Sequence, residues 1–180
     1  MDQEILFSTG ECVLGMMLVA KSERGVCAIL LGDDAVAPGR DLQQRFPQAR
    51  LREAGVEFEP LLSKVAGFLA ASARGLDVPL DMQGTPFQKQ VWSALREIPA
   101  GSTETYAEVA RRIGAPQDAK EVGEACAANA LAVAIPCHRV VRKDGGLGGY
   151  RWGVERKRAL LRREGAQEAG TADLFEPTRA

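Results

Sequence analysis

The chain has 180 residues, 46% of them hydrophobic and 26% charged, which suits a globular protein with one sizeable domain or two small ones. The acidic opening MDQEILFSTGEC argues against a signal peptide, and no run approaches the ~18 apolar residues of a membrane span. Four scattered cysteines without a C-x-x-C pair exclude a disulfide framework and a zinc cluster, and a net charge of −1 argues against a uniformly basic polyanion-binding surface.

Residues 4–8, 12–20 and 25–31 are short apolar or alternating runs separated by TGE and KSERG, and hairpin strands fit them. Cys12 and Cys27 fall in these runs, where buried thiols are common and inert. APGRDLQQRFP predicts a short helix stopped by Pro47. In residues 59–73, Leu62, Val65, Phe68 and Leu69 share one helical face, and Gly75 closes the helix. LDVPLDMQG reads as a short extended connection. Residues 1–81 are therefore expected to form a small α+β unit, and nothing in them suggests chemistry.

The second half, residues 82–166, has a different texture. Thr85 is a predicted N-cap with Pro86 at the first helical position and Gln88 three residues after the cap. Phe87, Val91, Trp92 and Leu95 form the apolar stripe of that helix. Two further helices are predicted at roughly 103–112 and 117–128, joined by IGAP. Helix-turn-helix motifs have this pattern, and so do ordinary packed helices. LAVAIPCHRVV suggests two strands bent at Pro136, followed by the glycine-rich loop RKDGGLGGYRW. GVERKRALLRREG is a basic amphipathic helix with Gly165 as its C-cap. Residues 167–180 are polar and are expected to be a disordered tail.

Charge is distributed unevenly. Residues 139–163 hold nine Lys or Arg against Asp144 and Glu155, a local charge of +7 that leaves −8 for the remainder. A polyanion senses such a local patch rather than the global balance. A solvated basic helix face would look the same.

IPCHRVV contains the only histidine, directly after Cys137. A thiol with a pKa near ~8.5 is mostly protonated at neutral pH, so a nucleophilic cysteine needs a base or a positive field. On a straight strand the two side chains would point to opposite faces; the bend at Pro136 relaxes that, and a water can bridge sulphur and imidazole. From the residues alone, a buried thiol beside a hydrogen-bonded histidine is the commoner outcome, since free cysteine is among the most buried residue types.

Taken together, GTPFQKQVWSALREIPAGSTETYAEVARRIG and NALAVAIPCHRVVRKDGGLGGYRWGVERKRALLRREG resemble the O6-alkylguanine-DNA alkyltransferase family. LVAKSERGVCAILLGDD and YRWG are similar to the alkyltransferase half of its Ada-type members, without their zinc-bearing half, so the chain is either free-standing or a fragment. The resemblance implies an α+β protein: a ribonuclease-H-like N-terminal unit, then a winged-helix-like helical domain whose helix-turn-helix enters the minor groove. It implies a monomer of the bacterial cytosol that needs no cofactor and no metal. Its partner would be double-stranded DNA carrying O6-alkylguanine, with O4-methylthymine a further candidate. The damaged base would be rotated into a pocket. A cysteine would then keep the alkyl group, so each molecule reacts once.

The same resemblance distributes the roles. Cys137 falls on the nucleophile, His138 on the base that reaches it through a water, and Glu164 on the carboxylate orienting the imidazole. Asn129 falls on the residue bracing the turn, and Tyr106 on the one that helps expel the base and protonates the leaving purine. The carbonyls of Cys137 and Val140 would accept from the exocyclic amine, and the Arg151 amide would donate to O6. Gly149 and Tyr150 would form the pocket wall, and Trp152 would narrow its entrance against large alkyl groups. DNA contacts would involve Tyr106, Ala107, Ala115, Lys120 and Lys143.

One departure stands out. The family's recognition helix usually reads R-A-V-G-x-A, and here it is KEVGEA, residues 120–125. Lys120 supplies charge without a planar fork, and Glu121 and Glu124 oppose phosphate. Weaker DNA affinity with intact chemistry is expected. Two other functions share some features: a binding module that holds damaged DNA without repairing it, which the presence of Cys137 disfavours, and a regulatory helix-turn-helix fragment. The small-residue helix offers the latter few side chains to read base edges.

Overall fold

The computed structural model describes residues 2–166, so the expected disordered tail lies outside the described residues. The chain divides into two compact units. One comprises the residues up to Gln83 together with Ala130–Ala134; the other comprises Gly84–Asn129 and the residues from Ile135 onward. The expected second domain is thus interrupted. Its residues 130–134 group with the N-terminal unit, because they cover the open edge of a strand there.

The N-terminal unit is a four-stranded sheet with two helices. Strands β1 (Glu4–Cys12), β2 (Gly15–Ser22) and β3 (Gly25–Gly32) form an antiparallel meander, and β4 (Arg50–Glu53) pairs in parallel with β1, giving the order β3-β2-β1-β4. The first turn falls at residues 13–14, so Cys12 ends β1 rather than opening the second strand. Strand β4 was not anticipated: Arg-Leu-Arg-Glu carries no apolar alternation, and its pairing with β1 is non-local.

Every residue of β3 is buried, which accounts for its continuous apolar run. Its free edge is capped at two points, by parallel bridges Val26–Leu80 and Ile29–Leu131. The Ile29 amide donates to Ala130 O at 2.8 Å, and Ala132 N donates back to Ile29 O at 3.0 Å. Covering an edge in this way removes a template for unwanted strand pairing. Val133, two residues on, holds φ at +69°, a strained conformation for a β-branched residue. Helix α1 (Val36–Arg45) packs against β3 and β2, while α2 (Glu59–Ala70) packs against β1 and β2. The buried residues of α2 are Leu62, Val65, Phe68 and Leu69, the stripe expected from spacing.

In the second unit, α3 (Pro86–Leu95) begins with the expected capping box: Gln88 N donates to Thr85 Oγ1, and Thr85 N donates to the Gln88 side chain. Helices α4 (Tyr106–Arg112) and α5 (Ala119–Ala127) follow, joined by residues 113–118 with Gly114 at φ +80°. Residues 104–105, expected at the start of a helix, instead form β5 (Glu104–Thr105), parallel to β6 (Val140–Val141). Thr105 then caps α4 through a second capping box, with Glu108. Trp92 Nε1 donates to Ala125 O at 2.9 Å and locks α3 to α5. Helix α6 (Val154–Glu164) ends at Gly165, whose φ of +80° is the left-handed cap that its sequence predicts. Among the described residues, no helix is long and apolar enough to cross a membrane.

Candidate functional site

The Cys-His pair does not lie on a bent strand. Cys137–Arg139 form a 3-10 turn entered through Pro136 and continued by β6. Three consecutive side chains on a strand would alternate between faces; on the turn, His138 and Arg139 both reach Glu164 at the end of α6, while Cys137 meets Asn129.

The end of α6 anchors this turn. Both carboxylate oxygens of Glu164 lie within hydrogen-bond reach of His138 Nε2, at 3.1 and 3.0 Å. The same carboxylate accepts from Arg139 Nε at 3.0 Å and Nη2 at 2.8 Å, a bidentate fork. Arg139 Nη1 also donates to Ile98 O at 2.7 Å. His138 and the Glu164 side chain are almost wholly excluded from solvent, at 0% and 1% exposure. Burial pulls the imidazole pKa below its ordinary 6.5, outweighing the opposing pull of the Glu164 carboxylate. The neutral ring must then give its one proton to Glu164 through Nε2. Nδ1 remains a lone-pair acceptor, and it is buried without a hydrogen-bond partner among the described residues.

Cys137 is buried at 4% exposure. Asn129, fully buried just beyond α5, donates its side-chain amide to Cys137 Sγ at 3.3 Å and to Ile135 O at 3.0 Å. One side chain therefore braces the approach to the turn and touches the sulphur.

Sulphur opens onto a cavity of about 490 Å³ lined by Tyr106, Gly123, Cys126, Ala127, Cys137, Gly149, Tyr150 and Arg151. The lining combines aromatic faces with small residues of α5, and a planar heterocycle fits such a space. Tyr106 approaches the glycine loop closely: a Cβ on Gly148, which sits at φ +76°, would meet the Tyr106 hydroxyl at 3.0 Å. Burial pushes the Tyr106 phenol up to about 12. Tyr150 is likewise raised by burial, and its hydroxyl has no partner among the described residues. Trp152 does not line the cavity. It is buried behind Tyr150, with ring centroids 5.4 Å apart and edge-to-face.

A second, more open hollow of about 360 Å³ is bounded by Thr105, Tyr106, Ala107, Ala119, Arg142, Lys143 and Asp144. Ala115 sits in the turn between α4 and α5, its amide donating to Ala110 O at 2.9 Å. Lys120, Glu121 and Glu124 are all solvent-exposed on α5.

Two residues of the site were counted in the sequence only as part of a basic patch. Arg139 is buried and paired as described. Lys157 is fully buried; its Nζ donates to Val140 O at 2.6 Å and to Gly149 O at 3.1 Å, tying β6 to the cavity wall. The patch is thus less cationic at the surface than its composition suggests. Helical spacing carried a signal: Lys157 shares a face with the buried Leu160, Leu161 and Glu164 side chains. Among the described residues, no cluster of three or more His, Cys, Asp or Glu could hold a metal ion.

Residues 86–166 match the family described as 6-O-methylguanine DNA methyltransferase, DNA binding domain. The chain is 51% identical over 164 residues to the bifunctional transcriptional activator/DNA repair enzyme Ada of Escherichia coli, covering 91% of this chain and 46% of that protein. It therefore spans about half the length of its Ada relatives. A crystal structure of Mycobacterium tuberculosis OGT in complex with DNA superposes with a TM-score of 0.72 at 32% identity, covering 96% of this chain and 98% of the other. A methylated-DNA–protein-cysteine methyltransferase of Mycolicibacterium paratuberculosis is 32% identical over 172 residues, 96% of this chain and 99% of that protein. With a matching relative covered over nearly its whole length, the chain belongs to the methylated-DNA–protein-cysteine methyltransferase family.

Proposed function

We propose that the protein repairs DNA directly, moving the alkyl group of O6-alkylguanine in a duplex onto Cys137 in a single, irreversible turnover. The observation that carries this reading is the polarised histidine. Glu164 holds Nε2, so Nδ1 is the basic nitrogen, in a buried turn whose sulphur faces a base-sized cavity.

The chemistry follows from that arrangement. The Cys137 thiol gives its proton through one water to His138 Nδ1. The imidazolium that forms is met by the Glu164 carboxylate. Asn129 donates to the sulphur and meets the charge building there. Sulphur attacks the alkyl carbon, the C–O6 bond breaks, and its electron pair passes into the purine. Tyr106, held protonated by burial, gives its proton to a ring nitrogen only as that charge develops, so neutral guanine leaves. The Tyr106 phenolate then regains a proton through solvent and the His138 imidazolium releases the one it took, so both residues return to neutral. A thioether remains on Cys137, and nothing in the site reverses it.

Recognition is assigned to the residues around the cavity. The Cys137 and Val140 carbonyls accept from the exocyclic amine, and the Arg151 amide donates to O6. Gly149 and Tyr150 form the wall, and Trp152, from behind Tyr150, limits the alkyl groups admitted. Helices α4 and α5 act as a helix-turn-helix on the minor groove, with Tyr106, Ala107, Ala115, Lys120 and Lys143 in contact. Residues 82–166 are the working domain, of winged-helix type. The sheet order β3-β2-β1-β4, with its parallel last pair, supports a ribonuclease-H-like reading of the N-terminal unit. The protein works as a monomer in the cytosol.

Incubating the chain with a duplex carrying O6-methylguanine and weighing the Cys137 peptide tests this. One added methylene, absent in Cys137→Ser, is expected. Tight binding without added mass would instead identify a damage-binding module.

A further inference from the structure

Two thiols, not one, face the cavity. Cys137 stands on its 3-10 turn, and Cys126 lies in the last turn of α5. Asn129 connects them: its backbone amide donates to Cys126 O at 3.2 Å, and its side-chain amide donates to Cys137 Sγ at 3.3 Å. The other lining residues carry no further thiol, and Cys126 has no part in alkyl transfer as derived above.

We propose that Cys126 and Cys137 form a reversible redox pair, in which a peroxide oxidises Cys137 to a sulfenic acid and Cys126 condenses with it to a disulfide. The inference rests on the reading of Cys137 as the reactive nucleophile. In the first step sulphur attacks the peroxide O–O bond; one oxygen stays on Cys137 and the other leaves as water or an alcohol. In the second, the Cys126 sulphur displaces the hydroxyl. The Cys126 thiol proton leaves with that hydroxyl as water, and an S–S bond forms. The two sulphurs together lose two electrons, which the peroxide takes up.

The order of events follows from the surroundings. Burial raises the Cys126 thiol, and negative charge on Cys137 raises it further, so Cys126 is the poorer first target. Once Cys137 is a neutral sulfenic acid, that second contribution disappears. A disulfide needs Cβ atoms roughly 3.8 Å apart. Cys126 is the penultimate residue of α5, so the approach distorts only a terminal turn. Oxidation would then occupy the cavity without destroying the protein. A thiol reductant restores it, whereas it cannot reverse the thioether of repair.

Trypsin leaves both sulphurs on one peptide, residues 121–139. The whole chain is treated with hydrogen peroxide, remaining thiols are blocked with iodoacetamide, and that peptide is weighed. The expected product is unlabelled and two hydrogens lighter, with methyl transfer lost and then recovered in dithiothreitol. In Cys126→Ser and in Cys126→Ala, each judged against its own untreated activity, peroxide should add two or three oxygens to Cys137, and dithiothreitol should restore nothing. A wild-type peptide that gains oxygens instead of losing hydrogens overturns the pair, as does equal recovery in the variants. Absence of methyl transfer by untreated protein would overturn the proposed function instead, and the peptide mass would still decide the disulfide.

Discussion

His138 Nε2 and the Glu164 carboxylate meet at 3.0 Å across a solvent-free gap, and Arg139 holds the same carboxylate from its other side. Glu164 thus has two tasks, fixing the histidine tautomer and neutralising a buried guanidinium. Glu164→Gln preserves shape but leaves Arg139 uncompensated. Breaking a buried pair from one side costs about 3–5 kcal/mol, and losing an oriented base slows transfer by about 10²-fold or more. Urea denaturation and single-turnover methyl transfer measure the two effects. An unchanged transfer rate would remove Glu164 from the mechanism.

The depressed pKa of His138 has a sign that can be tested. The folded state resists protonation, because burial penalises the imidazolium. Between the ordinary value of 6.5 and the lower folded value, the unfolded chain therefore binds more protons, and stability rises with pH. The contribution is complete above 6.5 and is lost as pH falls through the folded value. Chemical denaturation across this window should show the slope in wild type and a reduced slope in His138→Gln. Equal slopes would mean that another group carries it.

Lys157 provides a third test. Its ammonium joins the Val140 and Gly149 carbonyls, one on β6 and one on the cavity wall. Lys157→Met fills similar space but leaves both carbonyls without this donor, at about 1–3 kcal/mol for each group left unsatisfied. The wall should loosen, so duplex binding and transfer should weaken together with stability. If denaturation midpoints fall while saturating and sub-saturating transfer rates stay at wild-type values, the lysine supports the fold alone.

The sequence announced what depends on near neighbours. Thr85, Pro86 and Gln88 predict the start of α3 because a capping box spans only three residues, and the α2 stripe is legible for the same reason. Pairing across distance was hidden. Strand β4 depends on β1, and Leu131 joins the N-terminal unit only because Ile29 has an open edge. At the site, Cys137 and His138 are conspicuous, but the meeting of His138 with Glu164 follows only from family resemblance, since 26 residues separate the histidine and the carboxylate. In composition, Arg139 and Lys157 are indistinguishable from the rest of the basic patch. Composition does not reveal that a cation has a buried acceptor waiting for it.

Tyr106 is pushed up to about 12 by burial, so it stays protonated across the whole working range. Tyr106→Phe keeps the ring against Gly123 and Gly148 and removes only the hydroxyl. Transfer at saturating duplex should fall by about 10²-fold if the phenol is the acid. Duplex affinity, measured separately by fluorescence anisotropy, should change little. A loss confined to affinity would make Tyr106 a wedge and not an acid.

The exposed face of α5 sets the last expectation. Lys120 stands beside Glu121, with Glu124 one turn on, and all three are open to solvent. Next to phosphate, each carboxylate opposes the counterion release that drives association. Glu121→Gln with Glu124→Gln should therefore tighten duplex binding most at low salt and steepen the dependence of affinity on salt. Lys120→Arg should also tighten binding, but with little change in that slope, because it adds a planar fork without adding charge. These side chains are solvent-exposed and are not part of the cavity lining, so single-turnover rates at saturating DNA should match wild type in all of them. Anisotropy titrations at several salt concentrations separate the two effects. If neither change raises affinity, α5 does not lie against the backbone, and the helix-turn-helix reading of α4 and α5 fails with it.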